Sequence, residues 1–402
     1  MIDVDRAKEI ILNEISPLKK KERLNFFSCL NRISAQDVKA KENIPPFNNS
    51  AMDGFAVRAN DLIGASRKSP KILEVIEDLP AGYVAKKSIK AGQAIRIMTG
   101  APMPKGADAV VMVEETRSRN DTVEIYKEIK VGENVRYAGE DVKKGKVVIK
   151  KGSLLKSGHI GMLASLGASK VKVFKRPKVA ILATGDELVN VDERLGPGKI
   201  RNSNAYSLYS QVVKTGAIPI LLGIARDKKA DLKTKIKKGL SADMLLISGG
   251  ISVGKYDYVK DVLKGLGLEM KFWRVAMRPG KPLAFGVIKR TPVFGLPGNP
   301  VSSMVSFEVF VKPAIFKMLG RKTDGAKEVK AAIKEEIIKK KGLRYFLRAK
   351  TAWQNEAYVT KTTGPQGSGQ LKSMAIANSL IILPEKEERM EKGRMVTVRF
   401  LD

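Results

Sequence analysis

The chain is 402 residues long and 43% apolar, and it carries 74 Lys and Arg against 42 Asp and Glu, a formal charge of +32. Such a length exceeds one ordinary core and predicts roughly two to four domains, while one histidine (His159) and one cysteine (Cys29) exclude a Cys/His zinc site, a disulfide framework and any catalytic set with several histidines. The charge predicts a surface that draws polyanions, either as a solvated Lys-rich coat of the kind enriched in proteins from hot environments or as steering for a small, multiply charged substrate.

The opening MIDVDRAKEIILNEI mixes acids with bases and has no signal-peptide core. Val4, Ala7, Ile10, Ile11, Ile15 and Leu18 recur at helical spacing, with aspartates in the first turn, so Asp3 to Leu18 reads as an amphipathic helix. From about Pro45 to Glu140 the texture changes to short β-branched runs broken by Gly and Pro, which predicts a strand-rich unit with long loops. Glycines at 132, 139, 145 and 152 punctuate further short strands. Ser157 to Leu166 reads as a short helix stopped at Gly167. His159 lies inside it among glycines and apolar residues, a setting that favours a structural role.

Beyond this point strands and helices alternate. Val179–Thr184, Ile218–Gly223 and Met244–Ser248 read as buried strands, and 204–214, 228–240 and 256–266 as helices. The alternation predicts a mostly parallel sheet covered by helices, with ligands at the carboxyl ends of its strands. Residues 301–319 continue as a strongly apolar helix, RKTDGAKE resembles a linker, and 329–402 reads as short strands of a small terminal β-domain. No stretch approaches the ~20 apolar residues of a membrane helix, so a soluble, reducing, cytoplasmic setting is expected.

Chemistry concentrates in the loops of the alternating region. TGDEL puts Thr184, Gly185, Asp186 and Glu187 directly after a strand, where the acids can hold Mg2+ or a ribose and the amides can face a phosphate; Asp186 could equally cap the following turn. SGGISVG lacks the Walker and dinucleotide spacings. Its Gly249, Gly250 and Gly254 still permit close backbone approach to an anion, Ser248 and Ser252 add donors, and Asp257 follows where the next helix begins. Arg274, Arg278 and Lys281 surround the PGKP turn of Pro279, Gly280, Lys281 and Pro282, and three such cations repel one another unless an anion joins them. LPGNPVS leads into a helix whose first amides and Ser302 form another anion seat. In the earlier unit, NNSAMDGFAVR and RIMTGAPMPKGADAVV centre on Asp53 and Thr99; on sequence physics alone they are turns.

Taken in order, SAMDGFA, RIMTGAPMPKGADAVV, TGDEL, IRNSNAY, SGGISVG with KYDY, MRPGKP, GLPGNPVS and GSGQLKSMAIAN make the chain resemble the molybdopterin molybdenumtransferase (molybdenum insertase) family, which includes the E-domain of gephyrin. The matches run from about residue 45 to 378. The resemblance implies a multidomain α/β plus β fold: a Rossmann-like three-layer α/β/α domain at 174–322, a helix with an elongated β-rich linker domain at 1–45 and 137–173, an inserted strand-rich domain at 46–136, and a small β-barrel-like domain at 323–402. It implies a homodimer that takes adenylylated molybdopterin, handed over by a molybdopterin adenylyltransferase, and molybdate or tungstate, and that inserts the metal and releases AMP with Mg2+. The sulfurs that bind the metal belong to the cofactor, which suits a chain with one cysteine.

Carried over by motif, Glu187 and Asp257 would hold Mg2+. Thr184, Gly185, Asp186, Gly249, Gly250, Ser252, Gly254, Pro279 and Gly280 would line the nucleotide and molybdopterin, and Arg274, Arg278, Lys281 and Ser302 would hold molybdate. Asp53 and Thr99 would complete the catalytic set across a dimer interface. Relatives often carry Lys where this chain has Arg274 and Arg278, which preserves charge and changes geometry. The alternative function is a non-catalytic molybdopterin-binding or scaffold protein of the same fold. Nucleic-acid binding is disfavoured, because aromatics are 6% and no recognition helix or stacking motif is present.

Overall fold

The computed structural model describes residues 1–250, 258–321 and 327–401. Ser252, Gly254 and Asp257, and most of the RKTDGAKE segment, lie outside the described residues. The chain divides into two compact units, one made of Met1–Arg23, Asn31–Ala35 and Lys172–Asp402, the other of Leu24–Leu30 and Gln36–Val171.

In the first unit a six-stranded sheet runs in the order Ile218–Ala225, Lys178–Thr184, Met244–Ser248, Thr291–Leu296, Ala284–Ile288, Glu269–Phe272. The first four strands are parallel, and the last two are added antiparallel, each to its neighbour. Alternation along the strands explains the layering. Val179, Ile181, Ala183 and Leu246 face a core shared with helices Val4–Glu14, Asn204–Thr215 and the helical stretch after Pro300. Ala180, Leu182, Leu245 and Ile247 face the opposite core, shared with Lys229–Gly239 and Tyr258–Gly265. The predicted three-layer α/β/α arrangement is therefore present.

Two helices depart from their sequence reading. The first runs only Val4–Glu14, with the Asp3 side chain accepting from the Arg6 N–H at 2.8 Å. Ile15 stays buried, but on extended chain. Pro17 disfavours helix at the residue before it, so the apolar period reports burial beyond the point where the helix ends. The helix after LPGN comprises Pro300–Ser306, a wide π turn at Phe307–Val311, and Lys312–Met318. Pro313 cannot donate to the ladder, and the turn ahead of it is widened so that the Lys312 N–H reaches the Phe307 carbonyl.

The last strands of this unit close into a five-stranded barrel: Arg344–Gln354, Ala357–Thr362, Glu328–Ile333, Met395–Phe400 and Ser379–Leu383, which returns to the first. A buried polar cluster pins the register. Thr351 Oγ1 donates to Thr360 Oγ1 at 2.9 Å and lies 2.8 Å from Ser379 Oγ, while Asn378 Oδ1 accepts from the Thr351 N–H and its Nδ2 donates to the Thr351 carbonyl. The short strand Met277–Arg278 joins the outer edge in parallel, opposite Arg344 and Tyr345.

The second unit holds a mixed six-stranded sheet ordered Ala109–Met112, Gly54–Val57, Gln93–Ile97, Lys71–Leu79, Thr122–Ile125, Thr116–Arg119. It buries Phe55, Val57 and Val111 on one face and Ala56, Ile95 and Val110 on the other. Its helix Ser157–Ser165 starts with His159 Nδ1 accepting from the Lys156 N–H at 3.0 Å, a structural cap as the sequence reading held.

Candidate active site

Three of the parallel strands of the first unit end at one cleft of about 640 Å3, lined by Thr184 and Glu187 after the first strand, Gly249 and Gly250 after the second, and Gly298 and Asn299 after the third. Gly249 and Gly250 have φ of +92° and +64°. A Cβ on Gly249 would lie 2.6 Å from the Thr184 carbonyl oxygen, and one on Gly250 would lie 2.7 Å from Thr184 Oγ1. Only glycine fits there, and the Gly249 N–H donates to the Leu296 carbonyl at 3.1 Å, which ties the loop to the next strand. Thr184 is buried and its Oγ1 has no partner among the described residues. A ligand oxygen entering the cleft is the group that would satisfy it.

Asn204, at the first turn of its helix, donates Nδ2 to Ser248 Oγ and to the Gly298 carbonyl, each at 2.8 Å. It thereby ties together the loops that leave two adjacent strands. Asp186 is turned to a similar task. Its N–H donates to Asp227 Oδ2 at 3.3 Å, its Oδ1 accepts from the Asp227 N–H at 3.2 Å, and its carbonyl accepts from Lys199 Nζ at 2.7 Å. Asp186 is thus engaged with the neighbouring loop, whereas the Glu187 carboxylate folds over Gly185 at the cleft.

A second cavity of about 230 Å3 adjoins the first and shares Pro282, Pro297 and Asn299 with it. Arg278, Pro279, Gly280, Lys281 and Ser302 all line it, so five of the residues singled out in MRPGKP and LPGNPVS come together. Arg274 does not join them; it is exposed, lines neither cavity, and its carbonyl accepts from the Ile2 N–H at 3.2 Å.

Arg278 also borders a third cavity, of about 590 Å3, at the mouth of the barrel with Lys339, Tyr345 and Arg348. Arg348 has no exposed surface. Its Nε donates to Ser373 Oγ and its Nη2 to the Gly367 carbonyl, both at 3.0 Å, but Nη1 has no partner and no carboxylate pairs with it among the described residues. Burial pushes its pKa down to about 10. Burial likewise lowers the Lys339 ammonium, against the opposing pull of Tyr345, Glu385, Glu387 and Glu388. A buried guanidinium with a free donor is matched by an oxyanion.

In the second unit Asp53 and Thr99 meet each other. Asp53 Oδ1 accepts from the Thr99 N–H and from Thr99 Oγ1, each at 2.7 Å. These two bonds, the backbone one first, hold the Asp53 carboxyl below its usual range.

Sequence reasoning passed over Asn204, Asp227 and Arg348. IRNSNAY marks the first as a helix start, and RDK after a strand marks the second as a turn. The third leaves only one trace, an arginine inside the apolar run YFLRA. Among the described residues no three acidic, His or Cys side chains gather as a metal cage. Mg2+ is usually held by one or two carboxylates plus substrate phosphates, so Glu187 at the cleft is a compatible donor.

Models of three families match in succession: the MoeA N-terminal region (domain I and II) over residues 2–167, the probable molybdopterin binding domain over 180–317, and the MoeA C-terminal region (domain IV) over 330–401. A molybdopterin molybdenumtransferase of Bacillus subtilis is 39% identical over 374 residues, covering 92% of this chain and 87% of that protein. One from Staphylococcus aureus is 38% identical over 401 residues, covering 99% and 95%. The crystal structure of a molybdopterin biosynthesis moeA protein from Pyrococcus horikoshii superposes with a TM-score of 0.87 at 32% identity, and all of both chains is covered.

Proposed function

The chain belongs to the molybdopterin molybdenumtransferase (MoeA) family, and from that premise we infer how its own residues serve the reaction. It is an enzyme of molybdenum cofactor biosynthesis that inserts molybdenum into molybdopterin. We propose that the incoming molybdopterin is adenylylated, delivered by an adenylyltransferase in the cytoplasm, and that AMP leaves with Mg2+ as helper. The supporting observation is the adjacency of two unlike cavities on one sheet edge. One is walled by glycine backbone and a carboxylate, the other by cations, and they share Pro282, Pro297 and Asn299.

In this reading Thr184, Gly185, Gly249, Gly250, Ser252 and Gly254 cradle the nucleotide phosphates, and Asp186 fixes the TGDEL loop through Asp227. Pro279 and Gly280 let the pterin phosphate approach the backbone. Arg278, Lys281 and Ser302, with Arg274 at the periphery, hold the molybdate or tungstate substrate, and Arg348 adds a buried donor set from the barrel. Glu187 and Asp257 hold Mg2+, which when bound supplies neutralising charge at the phosphoanhydride. The cations keep two anionic reactants together, so the protein's contribution is positioning and charge neutralisation. Asp53 and Thr99 are assigned to the partner subunit's half of the site in a homodimer, and the four-domain partition at 1–45 with 137–173, 46–136, 174–322 and 323–402 goes with it. The exposed apolar residues Tyr206, Tyr209 and Val213 on helix Asn204–Thr215 support a self-associating face.

The test is direct. Purified protein given adenylylated molybdopterin, molybdate and Mg2+ is expected to release AMP, and Glu187→Ala is expected to slow release by at least ~100-fold, the scale of losing one transition-state electrostatic contact. No release alongside an active positive control refutes the catalytic reading and leaves the scaffold one.

A further inference from the structure

Arg278 reaches the cation-lined cavity on a long, exposed side chain, and a guanidinium on such a stem gains directional power only when something fixes its plane. The barrel supplies that support. Because Met277–Arg278 pairs in parallel with the start of Arg344–Gln354, Arg278 falls opposite Tyr345. The guanidinium carbon lies 5.5 Å from the Tyr345 ring centroid, and Nη1 is 3.5 Å from Tyr345 Oη. The first value fits a cation held over an aromatic face, and the second is a long donation to the phenol oxygen.

The ring is itself immobilised. Tyr345 is 6% exposed and packs in the barrel core with Ile337, Leu347 and Met390. Its Oη accepts from the Lys340 N–H at 3.4 Å. Lys339 Nζ lies 4.9 Å from the same centroid, pinned by the carbonyls of Leu343 at 3.0 Å, Lys340 at 3.3 Å and Glu385 at 3.4 Å. Arg278 and Lys339 border one cavity, and neither has a carboxylate partner among the described residues. The ring thus gathers two cations in a cavity that Glu335 and Glu336 also line, Lys339 within the pull of Glu385, Glu387 and Glu388 and Arg278 without an ion pair among the described residues.

We propose that Tyr345 is a positioning residue for the oxyanion substrate, its ring fixing the Arg278 guanidinium at the mouth of the cation-lined cavity. This rests on the reading of Arg278 as an oxyanion contact. The ring has no role in the chemical step, so its removal alters capture of molybdate and leaves turnover at saturation intact.

The experiment is a molybdate titration of AMP release by the full-length protein, with thermal melting alongside. The variants are Tyr345→Phe, Tyr345→Met, Tyr345→Leu, Arg278→Ala and the double variant Tyr345→Met with Arg278→Ala. Tyr345→Met keeps core volume without a ring, and it serves if Tyr345→Leu does not fold. Loss of the ring is expected to raise the molybdate KM about two- to fivefold, the factor expected of a cation–π contact at a partly exposed site, with kcat within twofold. Tyr345→Phe is expected to restore the wild-type KM. In the Arg278→Ala background Tyr345→Met is expected to add nothing. An equal KM effect in both backgrounds, or a Tyr345→Phe variant as impaired as Tyr345→Met, overturns the proposal. If Arg278→Ala leaves the molybdate KM unchanged, the reading of Arg278 fails first and takes the proposal with it.

Discussion

A guanidinium with no exposed surface and an Nη1 unpaired among the described residues costs on the order of several kcal/mol more to keep than an apolar side chain of similar volume. Arg348 is therefore expected to trade stability for binding. Replacing it with Met should leave the melting temperature within about 3 °C of wild type or raise it, while the upward shift with molybdate that is expected of the wild type should be absent from the variant. A large fall in melting temperature would show that its bonds to Ser373 and Gly367 are structural instead. The Asp53–Thr99 pair makes a different prediction, read in pH. Because the folded-state carboxyl is depressed, its contribution is present above the ordinary aspartate value and is lost as pH falls through the depressed one. Thr99→Val removes the hydroxyl donor and keeps the larger backbone one, so the Asp53 pKa should rise part of the way towards its ordinary value in a carbon-detected NMR titration. Neither residue could be weighed from its neighbours in the chain. Arg348 sits in a strand whose burial depends on barrel closure, and Asp53 meets a threonine 46 positions away.

At the level of elements, the loops between residues 184 and 302 were legible because each follows or adjoins a short apolar run that reads as a buried strand. The glycines after Met244–Ser248 then had a reason that packing made concrete. Gly250→Ala puts a Cβ against Thr184 Oγ1 and a backbone at positive φ. It should lower stability by about 1–3 kcal/mol and reduce AMP release, measured by denaturant melts and turnover; wild-type values for both would mean that Thr184 does not confine the loop. Asn204→Ala should lose the tie between the Ser248 and Gly298 loops, at about 1–2 kcal/mol for two hydrogen bonds, one part-buried and one exposed, without changing helix content. What sequence periodicity could not deliver was conformation where burial outlasts the helix, as at Ile15, or the wide turn at Phe307–Val311, which depends on a proline two residues further on. Gln366, Ser368 and Gly369 were invisible as cavity walls, since they come from a glycine-rich stretch that only the barrel carries to the sheet edge.

For the whole molecule, the formal charge of +32 should make capture of an anionic substrate sensitive to salt. kcat/KM is expected to fall several-fold between about 50 and 500 mM KCl, with kcat nearly constant; a flat profile would assign the lysines to solvation alone. Light scattering should give twice the 44.1 kDa of one chain, and Tyr209→Glu should shift it towards one. The N-terminal helix carries a further consequence. Val4, Ala7 and Ile11 bury against Phe307 and Phe316, and Lys317 Nζ reaches the Leu12 carbonyl across 305 positions. A ribosome adding about 5–20 residues per second needs roughly 15–60 s to make that partner surface. Throughout that interval the helix has an oily face whose folded partner has not yet been made, so its packing closes only after residues 305 positions later have emerged.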